Sequence, residues 1–143
     1  MKFHFFDGAV SNLADAFEVR QIVFIDEQGF TPELEFDEID EHAIHIVGYE
    51  EGKPVCTGRI FADEKEDTLH IGRICVLAEE RGKGTGEQML LALIAHAKAQ
   101  GVKSVVLGAQ VQATSFYGKI GFEKYGEIFY DEEVPHIMME LIL

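Results

Sequence analysis

Ile74-Cys75-Val76-Leu77-Ala78-Glu79-Glu80-Arg81-Gly82-Lys83-Gly84-Thr85-Gly86-Glu87 is the stretch of this chain whose reading decides the fold. An apolar, β-branched run ends, three glycines alternate with other residues, and an amphipathic pattern begins. Glycine lets the backbone turn with positive φ and approach a ligand closely. The first amides of the helix that follows have no internal partners and stand at the positive end of its dipole. With Arg81 and Lys83 beside them they form an anion site at a strand–loop–helix junction. The Walker loop does not fit, because it needs four residues between its first glycine and a Gly-Lys-Ser/Thr. The dinucleotide loop does not fit either, because position 87 is Glu where a glycine is required. Without a ligand, the same residues would form a glycine-rich turn with surface charges.

Downstream of the loop, Leu90, Leu93, Ile94 and Ala97 make one apolar stripe, widened by Met89, Leu91 and Ala92. The spacing predicts a helix over 87–100, with Gly101 at its C′ position. Lys103–Leu107 reads as a buried strand, so strand, helix and strand imply a right-handed parallel crossover. A short helix around Ala113–Ile120 follows, then strands near Phe122–Tyr125 and His136–Leu143. The final strand could form a sheet edge that pairs across a homodimer axis, or lie inside the sheet.

Upstream, the β-rich runs Ala43–Tyr49, Pro54–Ala62 and Thr68–Leu77 are separated by hairpin-like distances, which predicts an antiparallel meander. Residues 2–6 read as a first strand. Leu13, Ala16, Phe17, Val23 and Phe24 recur at helical spacing after the N-cap candidate Ser11, predicting a helix over 12–25 that Gly29 and Pro32 break. Residues 33–41 hold six acids in nine positions, with Leu34, Phe36 and Ile39 as apolar anchors of an ordered loop or short helix. The sum is an α/β (α+β) mixed sheet, mostly antiparallel, with helices on both faces. A length of 143 residues fits one domain spanning 1–143.

Net charge is −14, from 12 basic and 26 acidic side chains, and such a surface repels nucleic acid and anionic membrane. It attracts cationic small molecules or basic peptides. Cys56 and Cys75 both fall in strand-like runs and read as buried free thiols. No export signal and no run of ~20 apolar residues is visible, so a cytoplasmic protein is expected. The histidines lack metal-ligand spacing, so no metal site is expected. Arg59 and Arg73 fall within strands, where a buried charge needs a partner, and the acidic segment can supply carboxylates.

Two segments together identify a family. Arg81-x-x-Gly84-x-Gly86 resembles the pyrophosphate loop of the GNAT acetyltransferases. Ala113-Thr114-Ser115-Phe116-Tyr117-Gly118-Lys119-Ile120-Gly121-Phe122 resembles that family's Ala-x-x-Phe-Tyr-x-Lys-x-Gly-Phe signature. Val23–Gly29, Glu35-x-Asp37-x-x-Asp40 with Ala43 and His45, and Pro135-His136 are similar to its ElaA-like branch. The resemblance implies a GNAT-like acyl-CoA N-acyltransferase fold, with a parallel strand pair splayed to admit the pantetheine arm of acetyl-CoA. It implies cofactor contacts from Ile74, Val76, Arg81, Gly82, Lys83, Gly84, Thr85, Gly86, Tyr117 and Gln110, the last standing where the family often has Asn.

The implied chemistry is attack by a neutral amine on the thioester carbonyl, with Tyr117 protonating the departing thiolate. His136 and then Glu27 are the leading candidates for the base, with Asp37, Asp40 and His45 behind them. Arg73, Asp37 and Asp40 are candidates for contact with the acceptor, a small-molecule or peptide amine. Two other classes remain open at this point: a non-catalytic acyl-CoA binder, and an interaction protein that docks a basic partner on 33–41.

Overall fold

Strand pairing begins with a tight turn. Glu51 and Gly52 both adopt positive φ (51° and 79°), the backbone of a two-residue hairpin that matches the twist of its strands. It joins β2 (Ile44–Glu50) to β3 (Lys53–Ala62). The structure, a computed structural model, describes residues 1–143 apart from Leu34. Leu34, expected as an apolar anchor, lies outside the described residues.

β1 (Lys2–Asp7) pairs with β2, and β4 (Thr68–Val76) pairs antiparallel with β3, which completes the expected meander. Among the described residues the strands form one seven-stranded sheet in the order β1-β2-β3-β4-β5-β7-β6. β5 (Ser104–Gln110) is parallel to β4, as the crossover predicted, and β6 (Glu123–Asp131) and β7 (Val134–Ile142) complete the sheet antiparallel. β7 lies between β5 and β6, so the final strand is interior and β6 is the edge. The last two strands are longer than expected. Their turn, Glu132-Glu133, has positive φ at both residues (49° and 68°), a conformation that neither side chain signals.

The splay of the parallel pair has a visible cause. Thr57 pairs with Cys75 and Arg59 with Gly72, so two β4 residues, Arg73 and Ile74, oppose the single residue Gly58. This is a β-bulge, and Arg73 absorbs it with φ 51°. β4 and β5 pair only over Thr68–His70 and Ser104–Val106. Beyond the bulge β4 continues to Val76 without β5, while β5 follows β7 along its whole length.

Helices cover both faces. α3 (Thr85–Ala99) buries Met89, Leu90, Leu93, Ile94 and Ala97, and Leu93 would meet a Cβ placed on Gly58 at 3.3 Å. This helix starts two residues before the expected 87, so Gly86 lies in its first turn. On the opposite face, α1 (Ala14–Arg20) sends Arg20 to the same carboxylate, Asp40, that Arg59 of β3 grips. The helix expected over 12–25 loses its α-helical geometry at Arg20 and runs on as a π-helix, Gln21–Glu27. α2 (Pro32–Glu35) and a 3₁₀ turn (Glu38–His42) carry the acidic segment. α4 (Thr114–Ile120) follows β5. Cys56 and Cys75 are buried free thiols, as expected.

Candidate active site

The glycine loop opens onto the gap left by the splayed strands. Gly82 and Gly84 have φ of 79° and 81°, and Gly84 is the N-cap of α3 in the left-handed region. A side chain at either position would strain the loop. No side chain caps this helix end, so its first amides face the cleft as donors for an anion. A Cβ on Gly86 would stand 3.6 Å from both Phe116 and Val76, so the first turn packs closely against α4 and the end of β4. The resulting cleft, about 640 Å³, is lined by Ile74 and Val76 on one side, by Arg81, Gly82, Gly84, Thr85 and Gly86 on another, and by Phe116 and Tyr117. A glycine cradle with uncapped amides suits a pyrophosphate, and the apolar walls beyond it suit a pantetheine arm.

Arg81 is already engaged. Its Nη1 and Nη2 each donate to a Glu27 carboxylate oxygen at 2.7 Å, and its Nε donates to the Val76 carbonyl at 3.0 Å. The hydrogen bonds from Arg81 hold the Glu27 carboxyl below its ordinary pKa. Glu27, a candidate for the base, thus stands at the edge of the first cleft with both carboxylate oxygens on Arg81. Lys83 lies 3.5 Å from Glu80, exposed.

A second cleft, about 480 Å³, adjoins the first. Ile74, Ala113, Gln28 and Tyr117 line both. The Tyr117 ring packs edge-on against Phe116 and Phe122, with centroids 5.0 and 6.0 Å away. Burial raises its hydroxyl to a pKa of about 12, so its proton is retained at neutral pH. His136, at the start of β7, lies in this second cleft; its Nδ1 donates to the Val134 carbonyl at 2.8 Å and its ring stacks on Phe129. Gln110 lines the second cleft, beside the Ile74 and Tyr117 that both clefts share.

Beneath the second cleft lies a cluster of three arginines and three carboxylates. Arg20, 1% exposed, donates to Glu35 (3.0 Å) and Asp40 (2.7 Å). Arg59 donates to Asp37 (2.6 Å) and Asp40 (2.8 Å), and Arg73 lies 3.2 Å from Glu35 and 3.3 Å from Asp37. The acidic segment thus supplies the partners that the strand arginines required. Burial pushes the Asp37 and Asp40 carboxyls upward, but hydrogen bonds and charge from Arg59 and Arg20 outweigh it and hold both below their ordinary pKa. At Glu35 burial prevails over Arg73 and Arg20, and its pKa is raised. Asp40 is buried with its oxygens committed to arginines, so it shapes the wall behind the cleft. Buried His45 donates from Nε2 to the Asp40 carbonyl (3.0 Å). Arg59 Nε has no partner among the described residues.

Sequence reasoning missed three members of this region. Arg20 falls on the apolar stripe of its helix, between Phe17 and Phe24, and that placement was the available signal. Glu35 stood in the Glu35-x-Asp37-x-x-Asp40 run but was given no role of its own. His70 lines the second cleft and pairs with Asp63 across the β3–β4 hairpin, a contact visible only once the hairpin register is known. Among the described residues, no group of three or more His, Cys, Asp or Glu is placed to hold a metal ion, and no helix is long and apolar enough to cross a membrane.

Known proteins share this architecture. Residues 15–143 match the acetyltransferase (GNAT) domain family. The uncharacterized N-acetyltransferase YjcF of Bacillus subtilis is 40% identical over 128 residues, covering 89% of this chain and 90% of that protein. Protein ElaA of Escherichia coli is 30% identical over 141 residues, covering 95% and 91%. The crystal structure of Escherichia coli ElaA superimposes with a TM-score of 0.87 at 26% identity, covering 97% of each chain. An aminoglycoside 6'-N-acetyltransferase complexed with coenzyme A shares the fold, with a TM-score of 0.77 at 12% identity over 99% of this chain and 97% of that one. The fold is therefore that of the GNAT acyl-CoA N-acyltransferases. This chain belongs to the GNAT acetyltransferase family, has ElaA among its relatives, and is an acyltransferase.

Proposed function

We propose that residues 1–143 act as one catalytic domain that transfers the acetyl group of acetyl-CoA to a primary amine, by direct attack in a ternary complex. The observation that carries this reading is the meeting of two clefts at Ile74 and Tyr117, one bordered by the glycine loop and the start of α3, the other by β4, β5 and β7; we assign the first to the cofactor and the second to the acceptor. In it the α3 amides and Gly82–Gly86 hold the pyrophosphate, while free backbone N–H groups near Ile74 and Val76 polarise the thioester carbonyl. Arg81 exchanges Glu27 for phosphate when the cofactor arrives. Tyr117, held neutral by burial, gives its proton to the sulfur as the C–S bond breaks.

Charge favours a cationic acceptor, either a small molecule or a peptide. The arginine cluster is neutral in sum, so Asp131 and Glu132 set the sign at the cleft rim, and Phe24, Phe30 and Phe129 offer aromatic surface to an ammonium. The same reading places the protein in the cytoplasm, where free thiols persist. It places a homodimer contact on the β6 edge, which exposes Ile128 and Tyr130.

Titration calorimetry with acetyl-CoA tests the cofactor site, using the parent and Gly84→Glu. Saturable binding by the parent and none by the folded variant is the expected outcome. A folded parent that binds no acetyl-CoA would sink the reading and leave the glycines as a structural turn.

A further inference from the structure

We propose that His70, held by Asp63, is the proton acceptor of this reaction, an inference that rests on the acetyltransferase reading above. His70 lies on β4, four residues before Ile74, and lines the acceptor cleft. Its Nδ1 is 3.3 Å from Asp63 Oδ1. A carboxylate only accepts, so Nδ1 carries the proton and the Nε2 lone pair is free. Among the described residues Nε2 has no hydrogen-bond partner. Asp63 is itself fixed, its Oδ2 accepting from the Lys65 amide at 3.0 Å. The His70 ring is clamped by stacking on Phe61, 4.9 Å away with 14° between planes, and the Arg59 guanidinium lies against the same phenyl ring.

This arrangement is a carboxylate–imidazole dyad aimed at a cleft, and it differs from His136 in one decisive respect. His136 donates to a neutral carbonyl. The Asp63 charge stabilises an imidazolium as it forms, which a carbonyl does less well. Burial first, against the pull of Asp63, lowers the His70 pKa, so the ring is neutral and able to accept at neutral pH. Two charges act on it directly, Asp63 and Arg59. The other titratable groups of the cleft are Arg73 on β4, Glu35 on α2, Tyr117 on α4, Asp131 at the end of β6, Glu132 in the β6–β7 turn, and His136 on β7.

Four residues of strand span about 13 Å, so the proton crosses from the amine to Nε2 through water, for which the cleft has room. The balance is complete. The ammonium R–NH3⁺ gives one proton to His70, which passes it to solvent. The neutral amine attacks the carbonyl carbon, the N–C bond forms and the C–S bond breaks. Tyr117 protonates the sulfur and regains its proton from the new amide nitrogen. Products are the acetamide, CoA thiol and one proton.

The test uses spermidine as the probe amine, thiol release as readout, and calorimetry with acetyl-CoA as control. His70→Gln is expected to lose about 100-fold in kcat/KM near neutral pH, with acetyl-CoA affinity unchanged. That loss should shrink as pH approaches about 10, where the amine sheds its own proton. Asp63→Asn should show a smaller loss and a displaced pH profile. A loss that is absent, or equal at every pH, overturns the proposal, whereas a parent that binds no acetyl-CoA overturns the underlying reading instead. Independently of any acceptor, nitrogen NMR should find neutral His70 protonated on Nδ1. Protonation on Nε2 would overturn the assignment.

Discussion

Tyr117 is the residue on which the reading of the chemistry turns. Its phenol is buried between Phe116 and Phe122 and lines both clefts, the position that the proposed thiolate acid requires. Tyr117→Phe keeps the ring packing and removes only the proton. We expect kcat to fall about 100-fold with little change in acetyl-CoA affinity. A variant with unchanged kcat would make the tyrosine a packing residue. The signature around 113–122 made Tyr117 legible in the sequence. Glu27 shows the opposite limit, since its partner Arg81 is 54 residues away and nothing in either local pattern announces the pair.

At the scale of elements, the arginine–carboxylate cluster joins α1, α2, the 3₁₀ turn, β3 and β4. Arg20 is its most buried member and bonds to two carboxylates. Arg20→Ala leaves Glu35 and Asp40 short of a partner in a buried site, and such a change costs about 3–5 kcal/mol. Chemical denaturation should show the loss as a lower midpoint with an unchanged slope. A loss under about 1 kcal/mol would mean that the carboxylates find water or neutralise. Apolar period was enough to predict α3 and the meander. It was not enough for the π-helical turn at Gln21–Glu27, because π and α geometry use nearly the same stripe. The β6–β7 hairpin escaped because Glu132-Glu133 lacks the glycine or asparagine that signals such a turn.

For the molecule as a whole, buried titratable groups set the response to acid. His45, His70 and His96 have pKa values lowered chiefly by burial, so folding favours their neutral forms. Their contribution is full above the unfolded value of about 6.5 and is lost as pH falls toward the folded values. Asp37 and Asp40, also lowered, contribute above about 3.9 and lose that contribution below it. Glu35 is raised and acts in the opposite direction, favouring the fold as it protonates. Three histidines outnumber it, so Tm should fall from neutral pH to about pH 5 and fall again below about pH 4. A Tm that rises between neutral pH and pH 5 would contradict this balance.

By itself the sequence determined what depends on neighbours along the chain: the glycine loop, the helix that follows it, the strand runs, the two signatures and hence the family. Only the tertiary structure decided what depends on partners far apart. The bulge at Arg73 that parts β4 from β5, the Glu27–Arg81 pair, the burial of Asp40 and the His70–Asp63 dyad all follow from register between strands and packing between elements. Local pattern fixes where a side chain starts; the distances between elements fix what its charge meets.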